Sequence, residues 1–81
     1  MATVIIYTTT YCPYCIKAKK LLDNKKIKYT EINVSEPSLR AKMTARTGGT
    51  TVPQILFDNQ AIGGCDELYA LERSAKLDKL L

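Results

Sequence analysis

The sequence predicts one α/β domain, residues 1–81, in which a four-stranded mixed sheet is flanked by three or more helices. Three observations predict this fold class. A chain of 81 residues has room for one modest hydrophobic core and not for two. A hydrophobic fraction of 46% with 25% charged residues is typical of a folded globular protein and excludes a disordered chain. Short apolar strand patterns also alternate with longer amphipathic segments, in the order βαβαββα.

The first elements form a β-α-β unit. Residues 3–7 are β-branched and aromatic, which predicts a short buried strand. Pro13 suits the first turn of a helix, because an N–H there would have no helical partner, and we expect this helix to run from Pro13 to Asp23. Its predicted buried face carries, at helical spacing, Cys15, Ala18, Leu21 and Leu22. Residues 28–34 alternate as a strand does, so the connection predicts a parallel, right-handed pair.

The next predicted element is a helix that opens within the segment Ser35-Glu36-Pro37-Ser38. Ser35 or Ser38 is expected to cap it, since a serine hydroxyl accepts a hydrogen bond from a free N–H of the first turn. Gly48-Gly49 is expected to end it, because glycine readily adopts the left-handed conformation found at a helix C-terminus.

The C-terminal elements are a β-hairpin and a third helix. Residues 54–57 and 60–62 are short strand patterns, and Asp58-Asn59 between them is expected to form the hairpin turn. Asp66 is expected to begin a helix whose apolar face carries Leu68, Ala70 and Leu71. The tail is predicted to be helical, with three side chains packing back on the core: Leu77, Leu80 and Leu81.

Composition and charge exclude several classes of protein. No run approaches the ~18 consecutive apolar residues of a membrane span, and the N-terminal residues lack the basic start and cleavage site of a secretory signal. We therefore expect a cytoplasmic protein without membrane contact, and nothing requires more than a monomer. The net charge is +4, and six lysines lie within residues 17–28. We interpret them as a solvated helix face rather than a nucleic-acid-binding patch, because no aromatic side chains are interleaved.

The cysteines point to redox chemistry. The chain has three cysteines and no histidine, which excludes Cys–His nucleophile pairs, and the odd count argues against a closed disulfide framework. Cys12 and Cys15 are separated by two residues and follow a predicted strand at a helix start. The free N–H groups and the dipole of a helix N-terminus stabilise a thiolate, so Cys12 is predicted to be the nucleophile. Cys15, on the buried face, is predicted to be the resolving thiol.

A pair of cysteines at this spacing also occurs as half of a zinc site. A structural zinc ion needs four ligands. Only Cys65 remains after the pair, and the chain has no histidine and no second CxxC. The order strand, CxxC, helix favours the redox interpretation, and no metal site is expected.

Three motifs at matching spacing make the whole chain resemble the glutaredoxin family, in particular its short bacterial dithiol members of class I. They are Cys12-Pro13-Tyr14-Cys15, Thr51-Val52-Pro53 and Gly63-Gly64-Cys65-Asp66. The resemblance implies a thioredoxin-like fold and a glutathione-dependent thiol–disulfide oxidoreductase. It implies reduction of protein disulfides and of protein–glutathione mixed disulfides, with glutathione as the reducing co-substrate and no tightly bound cofactor.

The resemblance also implies where glutathione binds. Val52–Pro53 is expected to be a cis peptide bond that turns the Val52 backbone toward the thiols, where glutathione pairs with it like an added strand. The N–H groups of Cys65 and Asp66 suit the γ-glutamyl carboxylate, and the Asp66 carboxylate suits the ammonium group. Cys65 is otherwise expected to be a packing residue rather than a third redox thiol. The expected glutathione-binding residues are Tyr14, Arg40, Thr51, Val52, Pro53, Gly64, Cys65 and Asp66.

Three positions carry alternatives or a departure from the family pattern. Arg40 falls where the family commonly places a side chain that meets the glycine carboxylate of glutathione. A guanidinium can bind a carboxylate with two hydrogen bonds. The alternative for Arg40 is an exposed helix arginine without a ligand. Asp66 is alternatively a simple N-cap. Thr9 stands where many relatives carry a lysine, so a cation that stabilises the thiolate or holds glutathione is missing.

Other functions stay open at this point. A redoxin of the same fold takes electrons from a flavoprotein reductase instead of glutathione. An iron–sulfur cluster bound by Cys12 and glutathione across a dimer is a second alternative, although Pro13 and Tyr14 argue against it, since cluster binders in the family tend to have a more open motif. A nucleic-acid-binding module is the third, and salt-dependent binding would reveal it.

Overall fold

The computed structural model describes residues 3–80 and has the predicted order of elements with one further short helix. The strands are β1 (Val4–Thr8), β2 (Thr30–Asn33), β3 (Gln54–Phe57) and β4 (Gln60–Gly63). The helices are α1 (Pro13–Asn24), α2 (Pro37–Thr47), α3 (Cys65–Arg73) and α4 (Leu77–Leu80). The predicted packing of Leu81 lies outside the described residues, as do both ends of the predicted domain 1–81. Among residues 3–80, no helix has the length and apolar character needed to cross a membrane.

The four strands form one mixed sheet in the order β2-β1-β3-β4. β1 pairs in parallel with β2 and antiparallel with β3, and β3 pairs antiparallel with β4. The turn between β3 and β4 is Asp58-Asn59, as predicted, with φ angles of 50° and 69°. Two successive positive φ values are what a two-residue hairpin turn of type I′ requires. The mixed sheet with helices on both faces is therefore confirmed.

The two faces of the sheet carry separate hydrophobic cores, because successive side chains of a strand point to opposite faces. On β1, Val4 and Ile6 contribute to the larger core, which is covered by α1, α3 and α4. Tyr7 contributes to the smaller core, under α2, together with Met43. The buried residues of α1 are the predicted four: Cys15, Ala18, Leu21 and Leu22. Cys15 therefore lies on the same buried face of α1 as Leu22, which belongs to the larger core.

The predicted cap of α2 is wrong. The N-cap residue is Glu36, which makes no side-chain capping hydrogen bond, and Ser38 lies inside the first turn. The Ser35 hydroxyl instead accepts a hydrogen bond from the Thr10 N–H at 3.3 Å. Gly48 ends the helix in the left-handed conformation, with φ of 77°, as predicted. Ser35 therefore connects the end of β2 to the loop before the reactive cysteines.

The predicted start of α3 is shifted by one residue. The N-cap is Gly64, so Asp66 is the second helical residue and not the cap. The cap backbone is held instead by Glu67, whose Oε1 accepts a hydrogen bond from the Gly64 N–H at 3.1 Å. Ala70, predicted on the apolar face, is exposed. The shift places both Cys65 and Asp66 in the first turn of the helix.

Glu31 on β2 joins three elements of the fold. The buried Thr8 hydroxyl donates a hydrogen bond to Glu31 Oε2 at 2.7 Å, and Lys19 Nζ lies 3.0 Å from the same oxygen. These two contacts, led by the Thr8 hydrogen bond, lower the pKa of the Glu31 carboxyl below its ordinary value of 4.5. The ionised carboxylate therefore stabilises the folded state.

We expect Glu31→Gln to reduce the dependence of stability on acid pH. Because the pKa of Glu31 is lower in the folded state, its contribution is fully present above the unfolded value and is lost as the pH falls through the folded value. Between about pH 5 and pH 2 the unfolding free energy should therefore fall less in the variant than in the wild type, by less than ~1 kcal/mol for this partly exposed pair. Urea titrations across that range measure the difference. Glu36→Gln is the control, and equal pH profiles for Glu31→Gln and wild type would contradict the assignment.

Candidate active site

Cys12 and Cys15 form a disulfide at the N-terminus of α1, with their Cα atoms 5.1 Å apart. Cys12 is the N-cap residue, with an extended backbone, and Pro13 opens the first turn. The Cys15 N–H points at Cys12 Sγ, with the nitrogen 3.1 Å from the sulfur. A donor in this position favours negative charge on Cys12 Sγ once the disulfide is reduced.

The two cysteine residues differ in their exposure to solvent. Cys12 is 7% exposed and Cys15 is 1% exposed. Cys15 packs on the buried face of α1, whereas Cys12 caps the helix from the preceding loop. An incoming thiol or disulfide therefore meets Cys12 first, which agrees with the predicted roles of the pair.

The loop that carries Cys12 is held by polar contacts from the end of β2. The Thr10 hydroxyl lies 3.4 Å from Ser35 Oγ and accepts a hydrogen bond from Asn33 Nδ2 at 3.4 Å. Asn33 in turn accepts a hydrogen bond from the Ser35 N–H at 2.9 Å. Sequence reasoning assigned none of these residues to the site. They fix the approach of the chain to Cys12.

Val52 and Pro53 lie beside the disulfide. The Val52–Pro53 peptide bond is cis, as the resemblance implied. The Val52 carbonyl oxygen lies 3.9 Å from Cys12 Sγ. The backbone of Val52 is thus next to the sulfur that an incoming thiol would reach.

A cavity of about 170 Å³ lies along this backbone. Its lining includes all but one of the predicted glutathione-binding residues: Tyr14, Thr51, Val52, Pro53, Gly64, Cys65 and Asp66. The eighth lining residue, Glu67, was missed from the sequence. The sequence carries a signal for Glu67, since a glutamate three residues after an N-cap commonly accepts a hydrogen bond from the N–H of the cap residue.

The start of α3 closes one end of the cavity. A Cβ atom on Gly64 would lie 2.9 Å from the Pro53 carbonyl oxygen, so the close approach of the two backbones requires glycine there. The N–H groups of Cys65 and Asp66 precede the first intrahelical hydrogen bond, which runs from the Leu68 N–H to the Gly64 carbonyl. They belong to the partly positive end of the helix, which attracts carboxylates.

Cys65 is a buried free thiol in the lining of this cavity. Burial raises the pKa of Cys65 above its ordinary value, against the opposing field of Lys17. A buried thiol with a raised pKa carries little thiolate and is a poor nucleophile. These features support the expected packing role.

Arg40 does not line the cavity. Its Nε and Nη2 donate hydrogen bonds to the Thr50 carbonyl oxygen at 3.3 Å and 2.9 Å. The residue is half-buried. It contacts the loop that leads into Thr51 and Val52.

Two of the lysines on α1 contact other groups. Lys19 is paired with Glu31. Lys17 Nζ lies 4.9 Å from the centre of the Tyr69 ring, and the Tyr69 hydroxyl donates to the Lys17 carbonyl oxygen at 3.2 Å. Neither of these two lysines takes the place of the lysine that many relatives carry at the position of Thr9.

Comparison with protein-family models gives a match to the family described as glutaredoxin, over residues 4–62. Among curated relatives, "Glutaredoxin" of Pseudomonas aeruginosa is 52% identical, with 100% of this chain and 98% of the relative aligned. "Glutaredoxin 3" of Escherichia coli K12 is 50% identical, with 100% and 99% aligned.

Solved structures give the same result. The solution structure of glutaredoxin from Brucella melitensis superposes with a TM-score of 0.88 at 52% identity, covering 100% of this chain and 89% of that one. The crystal structure of a buckwheat glutaredoxin–glutathione complex superposes with a TM-score of 0.88 at 32% identity, covering 99% of this chain and 76% of that one. The expected thioredoxin-like fold is therefore confirmed.

Proposed function

The chain belongs to the glutaredoxin family, and on that premise we propose how its own residues carry out glutathione-dependent thiol–disulfide exchange. Cys12 is the attacking sulfur and Cys15 the resolving one. The observation that carries this assignment is the Cys15 N–H placed 3.1 Å from Cys12 Sγ, since Cys12 is also the more exposed of the two cysteine residues.

Cys12 and Cys15 are oxidised to a disulfide when they reduce a protein disulfide. The Cys12 thiolate attacks one sulfur of that disulfide, forms a mixed disulfide and releases the other sulfur, which takes a proton from solvent. Cys15 then loses its proton to solvent and attacks Cys12 Sγ. This second step forms the Cys12–Cys15 bond and releases the second protein thiol.

Two glutathione molecules restore the dithiol. The first thiolate attacks Cys12 Sγ, forms a mixed disulfide there and frees Cys15. The second attacks the glutathione sulfur of that mixed disulfide, leaves as oxidised glutathione and returns Cys12 to the thiolate. With a glutathionylated protein, Cys12 takes the glutathionyl group directly and a second glutathione removes it, so Cys15 is not needed.

Glutathione is proposed to lie in the 170 Å³ cavity, extended along Val52. Its cysteine backbone would pair with the N–H and C=O of Val52 like an added strand. Its γ-glutamyl carboxylate would meet the N–H groups at the start of α3, and its ammonium group the exposed Asp66. The buckwheat relative solved as a glutathione complex supports this ligand.

Protein substrates are proposed to reach Cys12 across an apolar rim. The exposed large hydrophobic residues identified in the structure all lie within residues 11–16: Tyr11, Tyr14 and Ile16. Of these, only Tyr14 lines the cavity. A protein joined to Cys12 by a mixed disulfide has its backbone within about 7 Å of the Cys12 Cα atom, so it must cover part of this rim.

The cytoplasmic location, the monomeric state and the lack of a tightly bound cofactor stay predictions from the sequence.

The test of the function is turnover of a glutathione mixed disulfide of a small thiol, with glutathione, NADPH and glutathione reductase. The rate of NADPH consumption should be proportional to the concentration of the wild-type protein. No turnover would reject the glutathione assignment and leave a redoxin coupled to a flavoprotein reductase as the alternative, which the same assay with such a reductase identifies.

Asp66→Asn should raise the KM for glutathione about fivefold, equivalent to ~1 kcal/mol for an exposed charge pair, with kcat nearly unchanged. The variant removes the charge that faces the ammonium group but keeps the N–H groups of α3. Asp78→Asn is the matched control, because Asp78 lies in α4 and pairs with Lys25 at 2.9 Å. An unchanged KM in Asp66→Asn would remove Asp66 from the glutathione site.

A further inference from the structure

We propose that Tyr11, held in place by the contacts of its loop with Ser35, is a specificity residue that favours protein disulfides in which an apolar side chain flanks the reactive cysteine. The inference rests on the proposed function and deepens it, because it concerns the protein that becomes joined to Cys12. Its observation is a tyrosine that is 95% exposed and directly precedes the attacking cysteine.

The Tyr11 ring belongs neither to the two hydrophobic cores nor to the cavity that is proposed to hold glutathione. Of the large hydrophobic residues identified as exposed, it is the most exposed, ahead of Tyr14 at 61% and Ile16 at 52%. A tyrosine in this position adds almost nothing to the stability of the fold through burial. Its large apolar area is therefore free for contact with a partner.

The residues on either side of Tyr11 are attached to neighbouring elements. The Thr10 N–H donates a hydrogen bond to Ser35 Oγ at 3.3 Å, and the Thr10 hydroxyl accepts one from Asn33 Nδ2 at 3.4 Å. On the other side, Cys12 is the N-cap residue of α1. A ring with two side-chain torsions on a backbone that is held at both ends loses little entropy on binding.

A protein substrate has to pass close to this ring. A disulfide holds its two Cα atoms within about 7 Å of each other, and consecutive Cα atoms of a chain are about 3.8 Å apart. In the mixed disulfide with Cys12, the substrate cysteine therefore has its Cα atom within about 11 Å of the Tyr11 Cα atom. An apolar side chain that flanks this cysteine can pack on the ring and leave water, whereas a small polar side chain gains little from the same contact.

The test uses two cyclic disulfide peptides that differ only in whether phenylalanine or serine flanks their cysteines. The pre-reduced protein is mixed with each peptide. Cys12 attacks the peptide disulfide, the released peptide thiolate takes a proton from solvent, and Cys15 then forms the Cys12–Cys15 bond and releases the second peptide thiol. Samples are alkylated at intervals, and mass spectrometry gives the second-order rate constant for oxidation of the protein. No glutathione enters this measurement.

We expect the wild type to react about fivefold faster with the phenylalanine peptide than with the serine peptide, as for one aromatic contact. Tyr11→Ser should lose this preference while its rate with the serine peptide stays within about twofold of wild type. Tyr11→Phe keeps the ring and should keep the preference. A wild type without a preference, or a Tyr11→Ser variant that retains it, would overturn the proposal.

Ser35→Ala tests the part played by the loop. It removes the hydroxyl that accepts the Thr10 N–H, so it should reduce the preference although Tyr11 is unchanged. Ser74→Ala is the matched control, because it removes a serine hydroxyl at the C-cap of α3, where Ser74 Oγ donates to the Leu71 carbonyl oxygen at 3.2 Å. A full preference in Ser35→Ala, or an equal reduction in Ser74→Ala, would overturn the role of Ser35.

The glutathione assay separates this inference from the proposed function. Turnover of the glutathione mixed disulfide of a small thiol should be the same in wild type, Tyr11→Ser and Tyr11→Phe, because Tyr11 does not line the cavity. A fall of this turnover in Tyr11→Ser that matches its loss with the phenylalanine peptide would overturn the proposal, since the effect would then lie in Cys12 itself. Absence of glutathione turnover in a wild type that shows the peptide preference would reject the proposed function and support the role of Tyr11.

Discussion

Cys12→Ser should abolish reduction of both protein disulfides and glutathione mixed disulfides, with a loss of at least about a thousandfold in kcat/KM. A serine hydroxyl stays protonated at neutral pH, so the Cys15 N–H that faces Cys12 Sγ at 3.1 Å has no anion to stabilise. Cys15 cannot take over, because it is 1% exposed. The measurement is turnover of both substrates with glutathione and glutathione reductase.

Cys65→Ser is the matched control for this loss. It also replaces a sulfur by an oxygen, but at a buried position whose thiol has a raised pKa, and it should retain both reactions if the protein is folded. Near-UV circular dichroism establishes that each variant is folded. Residual kcat/KM of folded Cys12→Ser above about a thousandth of the wild-type value would assign the attack to another group.

Cys15→Ser should separate the two reactions. Reduction of protein disulfides by the dithiol route should fall by about a hundredfold or more, since no second thiol opens the mixed disulfide from within. Turnover of the glutathione mixed disulfide should stay within about threefold of wild type, because that route uses Cys12 and free glutathione alone. The same two assays measure both quantities on one preparation.

A stable intermediate should accompany this separation. Cys15→Ser treated with a protein disulfide should form a covalent adduct through Cys12, visible by mass spectrometry and released by glutathione. Loss of both reactions in a folded Cys15→Ser variant would contradict the division of roles. Retention of both would show that glutathione alone resolves the protein adduct.

The elements were predictable from sequence where the pattern depends on burial alone. The four buried residues of α1 and the bounds of β3, Gln54–Phe57, follow from apolar spacing and strand propensity, which the core enforces. The helix caps were less predictable, because a serine beside a helix can form hydrogen bonds with several different donors and acceptors. Ser35 contacts Thr10, a residue far away in sequence, and no local pattern indicates that choice.

The candidate site was also predictable only in part. The chemical inequality of Cys12 and Cys15 followed from their spacing and the helix start, whereas the lining of the cavity was available only through the resemblance. The partner of Arg40 could not be predicted, since spacing gives the face of a helix and not the atom that a long side chain reaches. Its bond to the Thr50 carbonyl is a tertiary contact between α2 and a loop whose path the sequence alone does not define.

The burial of Cys15 has a kinetic consequence. In the proposed mechanism every pair of electrons enters and leaves through Cys12 Sγ, so the donor and the acceptor compete for the same position and each must depart before the other binds. Exchange of this kind follows a ping-pong rate law. An excess of either partner then slows the half-reaction of the other. The flux through the protein depends on the ratio of reduced thiols to disulfides around it, which makes it responsive to the redox balance of its surroundings.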